Sequence, residues 1–143
     1  MGRINWPRVI LGGILAALII NVAEYLINAV VLAKDWSANL ANLHLPPDIG
    51  MNAVVIFNIT GLVVGVITVW LYAAIRSRYG AGVKTALIAA IAIWLLAYAM
   101  PTLGYIGLGV VPQQIGMIAI GLALVEIVIA SIAGAWVYTE GVA

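Results

Sequence analysis

Glu24 and Glu126 stand inside stretches otherwise apolar enough to cross a lipid bilayer, and they are the acidic residues that fall outside connections and tail. A charged side chain at the bilayer centre costs about 3 kcal/mol on insertion scales, so such residues face a protein interior or a water-filled path. Two carboxyl groups that meet there can handle a proton or a cation. Held neutral, the same pair would only fasten helices to one another by hydrogen bonds. Asn21 and Asn28 on the first apolar run and Asn58 on the second supply amides that complete an ion- or solute-binding set with the two acids.

Other chemistry is poorly served. Cys is absent, which removes disulfides, thiolate nucleophiles, iron–sulfur clusters and zinc–cysteine sites. His44 is the single histidine, and one ligand without a second makes no metal or haem site. The run Gly80-Ala-Gly-Val-Lys-Thr superficially resembles a phosphate loop. Glycine does not directly precede Lys84 and no strand leads in, so the pattern fails. No nucleophile–base pair or substrate mark is present, so an enzyme is disfavoured, and no catalytic residue, metal or cofactor is predicted.

The elements that must position the acids follow from composition. Of 143 residues, 66% are hydrophobic and 8% charged, whereas soluble domains average about 45–50% apolar and 25% charged. An aqueous globule is thereby excluded. The formal charge of +1 supplies no basic patch for nucleic acid. Apolar runs able to cross about 30 Å of hydrocarbon occupy residues 9–33, 50–75, 83–100 and 113–138. None alternates as a barrel strand would. The first is too long for a signal peptide and carries Glu24, so it reads as a true span. The third is taken to stop at Pro101, and Pro112 suits the first turn of the fourth.

The predicted fold class is therefore an all-α integral membrane protein, a four-transmembrane-helix bundle forming one domain over residues 1–143. Arg3, Arg8, Arg76, Arg78 and Lys84 lie on one side and Lys34 alone on the other, which puts both termini in the cytoplasm. The expected location is a bacterial inner (cytoplasmic) membrane. Trp6, Trp70, Tyr72, Tyr79, Trp136 and Tyr138 mark the inner interface; Trp36, Tyr98 and Tyr105 suit the outer one.

Compared with itself, the chain matches at one offset: Pro46, Ile49, Gly50 and Met51 coincide with Pro112, Ile115, Gly116 and Met117, and Trp70 and Tyr72 with Trp136 and Tyr138. Two helical-hairpin repeats, about 1–75 and 76–143, are predicted, related by an axis along the membrane normal. The alternative to duplication is shared composition at membrane boundaries. Each span also groups small or polar residues on one face. These are Gly13, Ala17, Asn21, Glu24 and Asn28 on the first; Asn58, Gly61, Gly65 and Thr68 on the second; Ala86, Ala89, Ala90 and Ala97 on the third; and Gly116 through Gly134 by way of Glu126 on the fourth. Small faces let helix backbones approach, so these faces are expected inward.

The connection after the first span places Trp36, Leu40, Leu43 and Leu45 in an amphipathic pattern ended by Pro46 and Pro47. It reads as a short interfacial helix, with Trp36 and His44 as lid or partner contacts. The residues thus point to a membrane protein that binds or passes a small solute or ion through a carboxylate/Asn centre, as a homo-oligomer because four spans leave little room for a pore. The competing expectation is a non-catalytic accessory subunit packed against a larger membrane complex, favoured by the small extramembrane parts.

Overall fold

The computed structural model describes residues 3–141. No strand occurs among them. Four helices are long and apolar enough to cross a bilayer, with mean hydropathy of 2.0 to 2.5 over their most apolar stretches, which marks the chain as an integral membrane protein. The first span runs from Trp6 to Val31 and comprises α1 (Trp6–Tyr25) continued by a π-helical segment, Leu26–Val31. A short helix, α2 (Ala33–Asn42), follows. The second span is α3 (Met51–Tyr79). The third, Val83 to Gly107, joins α4 (Val83–Ile93), a second π-helical segment (Trp94–Ala99) and α5 (Met100–Gly107). The fourth is α6 (Gln113–Val137).

The third span is longer than its sequence suggested. A proline inside a helix normally breaks it, because its ring excludes the i−4 carbonyl and its nitrogen donates nothing. Here Pro101 falls in the first turn of α5, directly after a π-helical turn in which Met100 N–H reaches back to Leu95 O. The hydrogen-bond register has already been reset, so the missing donor interrupts no α-type ladder. Residues 101–107 therefore extend the span rather than forming a loop.

Packing differs between the two ends of the bundle. At the basal end, which carries both termini, the small faces meet. A Cβ added to Gly65 of α3 would lie 2.5 Å from Ala17 N and 2.7 Å from Gly13 O, and one added to Gly12 would lie 2.6 Å from Gly134 O of α6. The α1 backbone thus touches α3 on one side and α6 on the other, at a separation only glycine permits. Ala86, Ala89 and Ala90 of α4 close the same core, whereas Ala97 is exposed. Buried hydroxyls find backbone acceptors: Thr68 Oγ1 donates to Val64 O at 2.7 Å and Ser131 Oγ to Ala86 O at 2.8 Å. Tyr138 ties the chain ends together. Its hydroxyl accepts from Asn5 N, its ring meets Tyr72 edge-on at 6.0 Å, and its carbonyl accepts from Arg76 Nη1.

At the apical end the helices part. α6 is the central element, with 44% of its most apolar stretch buried against 22% for α3. The first turns of α3, from Val54 to Thr60, are exposed throughout. Two helix ends here use the same terminating device. After α2, Leu45 N donates to Leu40 O and His44 N to Ala41 O; after α5, Val110 N donates to Tyr105 O and Gly109 N to Ile106 O. This paired arrangement needs a left-handed residue at the first position past the cap. Gly109 supplies it at φ 74° and His44, less comfortably, at φ 57°. His44→Gly is therefore expected to stabilise the end of α2 by about 1 kcal/mol, read as slower hydrogen exchange at the Leu45 amide, with His44→Val doing the opposite.

Candidate functional site

Between the diverging apical halves lies a cavity of about 400 Å³. Every span contributes to it: Glu24 and Asn28 from the first, Phe57 from α3, Tyr98 and Thr102 from the third, and Ala119 and Ala123 from α6. Two of these residues sit on the π-helical segments, Asn28 on one and Tyr98 on the other. A π-helical turn carries more residues than an α-turn and locally rotates the side-chain register, which is why such segments concentrate at functional sites. Here they hold Asn28 and Tyr98 against the same space.

A hydrogen-bonded path lines one wall. Trp36 Nε1 of α2 donates to Asn28 Oδ1 at 2.9 Å. The Asn28 amide donates in turn to Glu24 Oε2 at 2.5 Å and to Glu24 O at 3.0 Å. Glu24 is half-buried and borders the cavity. Across from it, the Tyr98 hydroxyl donates to Glu126 Oε1 at 3.1 Å. Glu126 is only 3% exposed, and its second oxygen, Oε2, is the buried side-chain oxygen left without a partner among the described residues. The two carboxyl groups are connected through the cavity wall, on which Glu24 and Tyr98 both stand. They belong to one region, with Tyr98 as the link between the cavity and the deeper acid.

Over this space α2 forms a cover. Trp36 reaches down to the cavity, and Asn39, 6% exposed, donates its amide to Val110 O of the opposite turn at 3.1 Å. Leu32, Val111 and Ile115 form a small apolar cluster under it, with Ile106 and Trp36 packed against them. Trp36, expected from sequence as a lid or partner contact, borders the cavity. His44 lies beyond it, exposed, at the turn that ends α2.

The remaining amides are elsewhere. Asn21 Nδ2 donates to Asn58 O at 3.2 Å across the α1–α3 seam, in the space left by Gly61, whose hydrogen atom faces the Asn21 side chain. Asn58 donates its own amide to Val54 O one turn back and is exposed. The expected set of five therefore divides: Glu24 and Asn28 line the cavity, Glu126 lies behind Tyr98, and Asn21 and Asn58 bridge two helices.

Tyr98 is the residue that sequence reasoning missed, having been assigned only to a membrane interface. The signal was weak: its partner is far along the chain, and the π-helical turn that aims it leaves no pattern in composition. Tyr98→Phe removes the one donor to Glu126 and leaves both carboxyl oxygens unpaired. The expected cost is about 1–2 kcal/mol, measured as a lower melting temperature in detergent with unchanged helix content.

Among the described residues no three of His, Cys, Asp and Glu gather as a metal set. Comparisons with protein-family models, curated proteins and solved structures return no match, so the geometry alone carries the functional argument.

Proposed function

We propose that this chain is a small polytopic membrane protein that binds or passes a small solute or ion through the Glu24/Glu126 centre. One observation carries the reading: a cavity bordered by all four spans has Glu24 on its wall and, through Tyr98, reaches a buried Glu126 whose Oε2 has no partner among the described residues. Burying two acids for mere fastening is a poor bargain when one oxygen is left unsatisfied. Buried polar groups that go unpaired in a native protein call for a functional explanation, and ionisable residues inside membranes mark solute and ion paths.

In this reading the basal end faces the cytoplasm, as the basic residues around it favour, and the α2 lid faces outward. The two hairpins derive from a duplicated unit. The seam between Gly13 and Gly65 gives the rigid part, and the apical halves give the part that changes. Reconstitution into liposomes, with proton and small-cation flux measured for the native chain, Glu24→Gln and Glu126→Gln, tests the reading. Flux that depends on either acid supports it. Flux indifferent to both removes it.

A second reading concerns company. The exposed apical turns of α3 carry Asn58 at a level where lipid would surround it; its amide donates to Val54 O, and the rest of that polar group still costs free energy when it faces hydrocarbon. A neighbouring chain over this face, another copy or a larger membrane complex to which this protein is an accessory, would relieve that cost. Crosslinking through Asn58→Cys distinguishes them, since a homo-oligomer gives a disulfide-linked dimer of this chain alone.

A further inference from the structure

Building on the proposed binding role of the cavity, we infer that its ligand is an organic monocation with an apolar body, an amine or quaternary ammonium rather than a metal ion, an anion or a neutral solute.

Size comes first. A cavity of about 400 Å³ falls in the range of small-molecule sites, roughly 300–1,000 Å³, whereas a proton relay needs no such volume. Charge comes next. The wall holds Glu24, with Glu126 behind Tyr98, and no basic side chain borders the space. An anion would meet two acids and nothing to offset them. Donor chemistry then separates the cations. Hard metal ions need about six oxygen ligands in a shell. Most of this wall is hydrocarbon and aromatic instead: Ile27, Val111, Ile120 and Ala123, with Trp36, Phe57, Tyr98 and Tyr105 among them. Aromatic faces attract organic cations through the ring quadrupole, and desolvation strengthens that attraction. A carboxylate set among aromatic rings therefore fits an ammonium group whose carbon substituents fill the apolar remainder.

The access route agrees. Phe57 borders the cavity yet is 61% exposed, as are the apical turns of α3 around it. The cavity therefore opens sideways next to α3, near the apical membrane surface. Amphiphilic cations concentrate at that level, with the charge at the headgroups and the apolar body in the acyl boundary.

The test uses the full chain in lipid nanodiscs and radiolabelled benzyltrimethylammonium, with its uncharged isostere neopentylbenzene as competitor. Saturable binding of the cation, weakened at least tenfold by Glu24→Gln, retained by Glu24→Asp, and poorly displaced by the neutral isostere, is the expected result. Glu24→Asp keeps the charge and serves if Glu24→Gln does not fold. The inference is overturned if the cation does not bind saturably, if the isostere displaces it at equal concentration, or if Glu24→Gln binds unchanged. Proton flux through liposomes made from the same preparation separates the two levels of the proposal. Failed cation binding beside flux that depends on Glu24 rejects the ligand class alone, whereas flux and binding indifferent to both acids reject the site.

Discussion

Glu24→Gln is expected to lower solute or ion flux at least tenfold while leaving the protein folded. Removing the carboxylate charge that faces a desolvated cationic ligand costs about 2–5 kcal/mol of interaction, and each 1.4 kcal/mol is tenfold. The fold should survive because the substitution keeps the local hydrogen bonding. Glutamine offers an oxygen to the Asn28 amide where Glu24 Oε2 now accepts it, and Asn28 keeps its bonds to Glu24 O and to Trp36. The stability change should therefore stay below about 1 kcal/mol. Glu126→Gln should act in the same direction, since its amide oxygen can still accept from Tyr98. A parallel loss of flux and melting temperature in both variants would instead identify the acids as fasteners.

Gly65→Val should do the reverse and destroy the scaffold without touching the cavity. Its Cβ would stand 2.5 Å from Ala17 N and 2.7 Å from Gly13 O. Those are backbone atoms that cannot swing aside, so α1 and α3 would have to separate along their whole basal seam. Overpacking a core costs about 1–3 kcal/mol where side chains can yield; against backbone the upper end or beyond is expected, from a total of roughly 5–15 kcal/mol. The readout is loss of the monodisperse species in detergent and of the cooperative melt. Gly121→Ala is the internal control. Outside its own helical turn nothing lies within 4 Å of its added Cβ, and helix propensity alone favours the change by up to about 1 kcal/mol.

These two variants also divide what the sequence disclosed from what it concealed. The basal half was legible because small residues at helical spacing have one use in a membrane, close approach. Gly13, Ala17, Gly65, Ala130 and Gly134 all lie buried as their stripes implied. The connection was legible only as a short helix: α2 forms, but its buried residue is Asn39, while Leu43 and Leu45 of the expected apolar face lie exposed beyond its end. The apical half was not. Whether Asn58 turns inward depends on how far α3 leans from the bundle, a tertiary property with no local mark, and it proves exposed beside Asn21 rather than near Glu24. Pro101 was read as a stop because that is its usual effect; a π-helical turn before it changes the outcome. The same class of turn aims Tyr98 at Glu126, a pairing across two helices that spacing along one helix cannot reveal.

A working site at Glu24 requires the apical cavity to admit polar species while the outer faces of the helices meet lipid. Because the chain contains no cysteine, a single introduced thiol reports on its own surroundings. Thr102 borders the cavity, and its neighbour Leu103, 52% exposed, points away from it at nearly the same depth. In sealed proteoliposomes treated with a small cationic methanethiosulfonate, Thr102→Cys should be modified rapidly, and more slowly when Glu24→Gln is added, while Leu103→Cys stays unreacted because a thiol in hydrocarbon does not ionise. A Thr102→Cys variant as inert as Leu103→Cys would contradict the account, for the acids would then sit in dry packing with nothing to bind.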